Sequence, residues 1–278
     1  MRCKVLILGS TGLLGQAMVD EFVGDFEVLA PKRVDLDLLD FDALANFLNL
    51  NKPDIILNCA GYNYVDKAEL NETERSLCFR LNAELPAFLA DLQESLNYVL
   101  VQFSSDYVFN GKSPDGYEED ASPAPLSTYG QSKLDGEIGL SDCSKVFLVR
   151  LAWLFGPGKE SNFVNVMRKL AESQDEISVV DDQKGNPTYT KDVAVEVRQL
   201  IETEQYGIYH LVNEDPVTWY DFAMEVFTKI GYAGKVKRVS SKEFKREAVR
   251  PQYSILLNTK WRKLRSHKEA LKDYLENY

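Results

Sequence analysis

A glycine-rich loop set between an apolar run and an amphipathic stretch constrains this chain more than any other feature. Residues 4–8 (KVLIL) form a strand-length apolar run. Gly9-Ser10-Thr11-Gly12-Leu13-Leu14-Gly15 follows directly and opens a helical stretch over residues 13–23. A turn of this kind needs glycine to bend tightly, to let backbone approach a pyrophosphate, and to pack the new helix close to the sheet. The spacing is GxxGxxG, and glycines alone would also suit a plain turn with a helix cap. The position after a clean strand predicts a dinucleotide loop, with Gly9, Thr11, Gly12 and Gly15 around the phosphates.

The pattern continues beyond the loop. Short β-branched runs at 27–30, 54–58, 98–103 and 146–151 alternate with helix-length stretches at 41–50, 71–95 and from about 129. Nearly continuous apolar strands separated by helices predict an α/β fold, a Rossmann-type doubly wound parallel sheet covered on both faces. Asp40 is placed to cap the helix over 41–50. Past Gly156-Pro157-Gly158 the alternation loosens, and a smaller, discontinuous α/β substrate domain is expected. The predicted division gives 1–155 and 178–212 to dinucleotide binding, and 156–177 and 213–278 to the substrate domain. Helices over 162–171 and 219–230 and the basic tail should build the second core.

Composition removes several classes. With 278 residues, 45% of them hydrophobic, the chain can bury a full core. No apolar run approaches the roughly 18 residues of a membrane helix, and no signal-peptide pattern opens the sequence, so a cytoplasmic protein without a membrane partner is expected. Cys3, Cys59, Cys78 and Cys143 are widely spaced and only two histidines occur, which favours neither disulfides nor a zinc site. A pI near 4.9 argues against a nucleic-acid partner.

The end of the second strand selects between dinucleotides, because a carboxylate there accepts from the ribose 2′-OH and repels a 2′-phosphate. Here Ala30-Pro31 is followed by Lys32 and Arg33, which favours NADPH, with NADH as the alternative. Tyr129 and Lys133 stand one helical turn apart and are the sole YxxxK pair in the sequence. Their location gives the pair weight. They open the helix after the fourth strand, whose end carries Ser104-Ser105-Asp106, at the edge where open α/β sheets bind ligands. A phenol with an ordinary pKa near 10 needs a cation to exchange protons near neutrality, and Lys133 would supply it. Ser105 would hydrogen-bond a reacting carbonyl, and Tyr129 would protonate the alkoxide left by hydride transfer.

These residues resemble the extended short-chain dehydrogenase/reductases, and more narrowly the dTDP-4-dehydrorhamnose reductase family. The likeness is carried in order by LNCAGYNYVDKAE (57–69), FSSDYVFNG (103–111), STYGQSKLDGE (127–137), VRLAWLFGPG (149–158), NFVNVM (162–167), VVDDQKGNPTYTKDVA (179–194), GIYHLVN (207–213) and RPQYSILLNTKW (250–261). The resemblance implies cofactor contacts from Gly12, Leu13, Leu14, Asp37, Leu38, Gly61, Tyr62, Asn63 and Lys133. It implies that Ser105, Asp106, Tyr129 and Trp153 meet a deoxysugar, and that Arg250 and the loop over 183–188 serve the nucleotide-sugar end. The implied activity is NAD(P)H-dependent reduction of the C4 ketone of dTDP-4-dehydro-6-deoxy-L-mannose, by a monomer or homodimer.

Some members of that family carry a glutamate two residues past the third glycine as part of a metal site at a dimer contact. This chain has Gln16-Ala17 there, and alanine offers no oxygen to a hard cation, so no metal is expected. A dehydratase on this fold would need an Asp-Glu pair after the strand, whereas Asp106 is followed by Tyr107. The remaining rivals are a reductase of another nucleotide 4-ketosugar and a non-catalytic NADP-binding subunit resembling the regulatory subunit of methionine adenosyltransferase. Charge is also divided. Residues 229–278 hold 14 Lys and Arg against 5 Asp and Glu, while residues 1–228 hold 18 against 38. A dianionic pyrophosphate would dock on such a basic tail, Arg250 first, unless the two parts simply attract one another.

Overall fold

The computed structural model describes residues 2–158 and 162–278. The first alternating stretch comprises β1 (Lys4–Leu8), α1 (Leu13–Phe22), β2 (Glu27–Leu29), α2 (Phe41–Asn51) and β3 (Ile55–Asn58). It continues through α3 (Lys67–Leu70), α4 (Glu72–Phe79), a π-helical turn (Arg80–Glu84), α5 (Leu85–Leu96), β4 (Val99–Ser105), α6 (Thr128–Ile138) and β5 (Val146–Leu151). The remainder holds β6 (Leu154–Phe155), α7 (Phe163–Ser173), β7 (Glu176–Val180), β8 (Lys184–Gly185), β9 (Thr188–Tyr189), α8 (Thr190–Leu200), β10 (Gly207–His210), β11 (Val217–Thr218), α9 (Trp219–Ile230), β12 (Lys235–Val239) and α10 (His267–Asn277). No described helix is long and apolar enough to cross a membrane.

Six parallel strands in the order β10-β5-β4-β3-β1-β2 form the main sheet. Strand β1 shows why both faces are covered. Val5 and Ile7 enter one core with Met18 and Phe22 of α1 and Val193 and Val197 of α8, while Leu6 and Leu8 enter the other with Leu44, Leu48, Leu85 and Leu89. A period of two with both sets apolar is the signature of a strand between two helical layers. The predicted cap is present, with Asp40 accepting from the Ala43 N–H at 3.0 Å. From β1 the chain winds outward to β2 and then returns to β3 on the opposite side, so the crevice beyond the carboxyl ends of β1 and β3 is the switch point of the sheet.

A second, smaller core gathers Phe155, Met167, Ile177, Val179, Tyr189, Phe222, Phe227 and Tyr274. It corrects the expected division at one point. Residues 178–189 were assigned to the dinucleotide part, but β7 pairs with β12 instead of a main-sheet strand, and β9 buries Tyr189 among the second set of side chains. The main sheet regains the chain only at α8 and β10. The basic tail also does more than build the second core. Residues 252–257 cross back as a strap, with Tyr253 N–H donating to Gly111 O, Tyr117 N–H to Ile255 O and Leu257 N–H to Tyr117 O, and Leu264 ends in the first core.

Candidate active site

The glycine loop occupies the β1/β3 switch point. Gly9 has φ of +73°, and a Cβ there would lie 2.6 Å from Ala60 N, so only glycine fits. A Cβ on Gly15 would lie 2.2 Å from Gly9 O, which is how close α1 comes to the loop. Gly12 caps α1 with no side-chain hydrogen bond, leaving the first-turn N–H groups, those of Leu13 and Leu14 included, without an intrahelical partner. Leu14 itself is buried in the first core, so its part in anion binding is through backbone. Ser10 ties the loop to the end of β2 through Ala30 O and Pro31 O at 3.3 and 3.2 Å. Thr11, Arg33 and Asp37 are exposed and Leu38 is half-buried along this rim. A cradle closed to side chains, with free donors at a helix start, fits a dinucleotide pyrophosphate.

At the carboxyl edge of β4 the structure brings together the four catalytic candidates. The Ser105 hydroxyl donates to Asp106 Oδ1 at 2.8 Å and accepts from the Tyr107 N–H at 3.2 Å. Among the described residues, Asp106 Oδ2 is buried with no hydrogen-bond partner. Burial pushes this carboxyl up to about 6, against the pull of the Ser254 and Ser105 hydroxyls, and the Ser254 hydroxyl lies nearby without completing a bond to Oδ2. Tyr129 is buried, its hydroxyl 3.4 Å from Asn63 Oδ1. Burial raises the phenol's pKa, with the adjacent Ser105 hydroxyl opposing. Lys133 Nζ donates to Phe103 O at 3.3 Å, and burial lowers its pKa to about 8, so it stays mostly cationic at neutral pH.

The neighbours named from resemblance fall into two groups. Gly61, Tyr62 and Asn63 sit beside Lys133, and a Cβ on Gly61 would lie 3.1 Å from Nζ. Trp153 lies two residues past the end of β5 and faces the second unit, its ring stacked on Trp219 at 3.4 Å and set against Gly185, where a Cβ would come within 2.6 Å. Its φ of +45° is left-handed, a strain of about 1–3 kcal/mol for a non-glycine residue. Arg250 is not a free cation. Its guanidinium donates to both Asp66 oxygens at 2.9 and 2.7 Å and borders Tyr107, whose ring meets Tyr129 edge to face.

Sequence reasoning missed Asn82, Glu69 and the Glu137–Arg150 pair. Asn82, buried on the π-helical turn, accepts from the Tyr62 N–H, donates to Tyr62 O and donates to the Ser132 hydroxyl, which itself donates to Tyr129 O. The available signal was the small face of α6. A Cβ on Gly136 would strike Asn82 O at 2.1 Å, and one on Gly130 would strike Tyr107 O at 2.3 Å. These glycines let the Tyr129 helix close onto its neighbours.

Fold and site together define a nucleotide-binding α/β reductase of the short-chain type, with a serine, tyrosine and lysine at the sheet edge. More narrowly, the chain belongs to the family described as RmlD substrate binding domain, whose profile matches residues 3–278. It is 37% identical over 278 residues to a Streptomyces antibioticus protein named as a probable dTDP-4,6-dihydroxy-2-methyloxan-3-one 4-ketoreductase, covering 96% of this chain and 93% of that one. It is 38% identical over 233 residues to the dTDP-4-dehydrorhamnose reductase of Aggregatibacter actinomycetemcomitans, covering 81% of this chain and 78% of the relative. The crystal structure of dTDP-4-dehydrorhamnose reductase from Bacillus anthracis in complex with NADP superposes with a TM-score of 0.95 at 34% identity over the whole of both chains.

Proposed function

We propose that this chain is an NADPH-dependent reductase of a nucleotide 4-ketosugar, converting dTDP-4-dehydro-6-deoxy-L-mannose to dTDP-L-rhamnose in the cytoplasm, as a monomer or homodimer. One observation carries the reading. A buried Asp106 with an unpartnered oxygen stands beside the Ser105 and Tyr129 hydroxyls and the Lys133 helix, at the same sheet edge as a glycine cradle suited to a dinucleotide. A buried acceptor without a donor costs about 1–3 kcal/mol, and a sugar hydroxyl would satisfy it.

The mechanism follows from the side chains. NADPH, when bound, supplies the hydride, and the loop residues together with Arg33, Asp37, Leu38, Gly61, Tyr62 and Asn63 would hold it. Tyr129, which burial keeps protonated, donates its phenolic proton to the ketone oxygen as charge develops there. Ser105 holds that oxygen by a hydrogen bond in place of the one it gives Asp106. Lys133, cationic below about pH 8, stabilises the phenolate left behind. Asp106 orients a neighbouring hydroxyl of the sugar. Trp153 and Arg250 serve the substrate side, the latter sharing its guanidinium between Asp66 and an incoming pyrophosphate.

A second reading, reduction of a related 4-ketosugar, is favoured by the Streptomyces antibioticus relative, whose name specifies a different ketone. Loss of NADPH absorbance across a panel of dTDP-4-ketosugars tests both. Turnover of dTDP-4-dehydro-6-deoxy-L-mannose above the others supports the first, and preference for another sugar selects the second. Tight NADPH binding with no turnover of any panel member leaves the non-catalytic subunit as the answer.

A further inference from the structure

The short helix α3 and the residue before it carry charge toward two other segments. Asp66 accepts from the Ala248 N–H at 3.2 Å and from Arg250, and so holds the segment that leads into the strap. Glu69, three residues on, accepts from the Thr128 N–H through Oε1 and from the Thr128 hydroxyl through Oε2, both at 2.7 Å. Thr128 is the first residue of α6 and precedes Tyr129. Ala68, fully buried between these two acids, packs in the same cluster as the Tyr129 ring.

The first turn of α6 has donors that its own helix cannot satisfy. Ser127 takes the Gly130 N–H at 3.1 Å, and Glu69 takes that of Thr128 from 59 residues away. A helix start fixed only by its own cap can fray. Here a two-pronged carboxylate, favoured by the positive end of the helix, fixes both the backbone and the side chain of the residue before Tyr129. The phenol hydroxyl itself has a long 3.4 Å contact with Asn63 and has the Ser105 hydroxyl as a neighbour, so its aim depends on how the first turn of α6 is held.

We propose that Glu69 is a positioning residue for Tyr129, holding the first turn of α6 so that the phenol meets the reacting ketone. The inference rests on the reductase reading above. Proton donation needs a well-aimed donor, whereas binding of NADPH and of the sugar nucleotide draws on other segments. The loss therefore belongs in kcat and leaves KM largely alone.

Two measurements on the full chain test it, one of which needs no turnover. Hydrogen exchange of the segment holding residues 127–133 should speed up in Glu69→Gln, because an amide side chain offers one acceptor where the carboxylate offers two. In the same variant kcat should fall about tenfold, with KM for the sugar nucleotide and NADPH affinity within about twofold. Thr128→Ser, which keeps both donors, should match wild type. Thr128→Val, which keeps only the N–H, should fall between and add little to Glu69→Gln in the double variant. Faster exchange with unchanged kcat overturns the role, as does unchanged exchange or a matching rise in KM. If Glu69→Gln fails to fold, Thr128→Val carries the test by the same readouts. A wild type that reduces no ketosugar overturns the reductase reading and this inference with it, while normal turnover with an unaffected Glu69→Gln sinks the inference alone.

Discussion

Two buried polar clusters lie where α6 meets β4 and β5, and they differ in one respect. In the first, Glu137 accepts from Arg150 Nε and Nη2 at 3.0 and 2.7 Å and from the Ser104 hydroxyl at 2.5 Å. Arg150 also donates to Glu119 O at 3.2 Å, and His210 donates from Nδ1 to Leu257 O at 3.0 Å. Its side chains find their partners within the protein. In the second, Ser105, Asp106, Tyr129 and Lys133 are as deeply buried, yet among the described residues Asp106 keeps an oxygen without a partner, and the Lys133 bond to Phe103 O is long at 3.3 Å. Equal burial with unequal satisfaction separates a cluster closed on itself from one with hydrogen-bonding capacity to spare. Adjacent serines on β4 divide between them, Ser104 to the first and Ser105 to the second.

The largest effect expected from breaking this contrast is on rate. Tyr129→Phe removes one weakly bonded hydroxyl from the open cluster, so stability should hardly change, while kcat should fall by about 10²–10⁴. Steady-state turnover beside a thermal melt checks both halves. A fall in melting temperature as large as that of a core substitution would place Tyr129 among the fold's supports.

Arg150→Met should do the reverse. It leaves Glu137 buried without its counter-ion, and loss of one partner of such a pair costs about 3–5 kcal/mol. Denaturant titration should show that drop, and Glu137→Leu introduced with Arg150→Met should recover most of it, since a matched apolar pair carries no stranded charge. If the single variant costs less than about 1 kcal/mol, the satisfied cluster is not what holds β5 to α6.

Acidity separates the two clusters by sign. The Asp106 carboxyl binds its proton more tightly when folded, at about 6, than in the unfolded chain. Its contribution to stability is therefore present below the unfolded aspartate range and is lost as pH rises through 6, on the order of 3 kcal/mol in all. His210 runs the other way. Burial and the Arg150 charge hold its pKa at about 4, so stability is present above the usual histidine range and falls as pH drops toward 4. The two offset each other in wild type. Asp106→Asn should unmask the histidine, giving a protein more stable than wild type at pH 7 and steeper in its loss toward pH 4. Denaturation midpoints at several pH values would show a parallel pair of curves if Asp106 were ionised throughout.

How much of this was readable in the sequence follows from what each cluster depends on. The sheet was legible because apolar strands and helix-length stretches leave a local period, and β1 carries both faces in five residues. The glycine loop and the Ser105, Tyr129 and Lys133 set were legible because each sits at a fixed place relative to a strand end. The partners Glu69, Asn82 and Arg150 were not, because each contact joins separate elements: 59 residues lie from Glu69 to Thr128, 50 from Asn82 to Ser132 and 13 from Glu137 on α6 to Arg150 on β5. No local period announces those. The domain division slipped at 178–189 because β7 and β9 look like strands of any sheet until their partners are known, and β7 takes β12.

The basic tail gives the smallest and most discriminating comparison. Its five arginines all meet carboxylates: Arg238 with Asp181, Arg246 and Arg250 with Asp66, Arg262 with Glu196, and Arg265 with Asp192 and Asp273. The opposed charges of tail and body are thus largely spent on one another, and only position tells which arginine has a second task. Arg262 is half-exposed near α8, where an ion pair contributes about 0.2–1 kcal/mol and weakens with salt. Arg250 is less exposed and adjoins Tyr107 and through it Tyr129. Arg250→Ala should raise KM for the sugar nucleotide about tenfold, the equivalent of about 1.4 kcal/mol, with NADPH binding intact. Arg262→Ala should leave KM alone and lower stability slightly at low salt. Equal effects of the two on KM would mean that the pyrophosphate senses the tail's overall field instead of one guanidinium, and salt would then weaken substrate binding in both variants as steeply as in wild type.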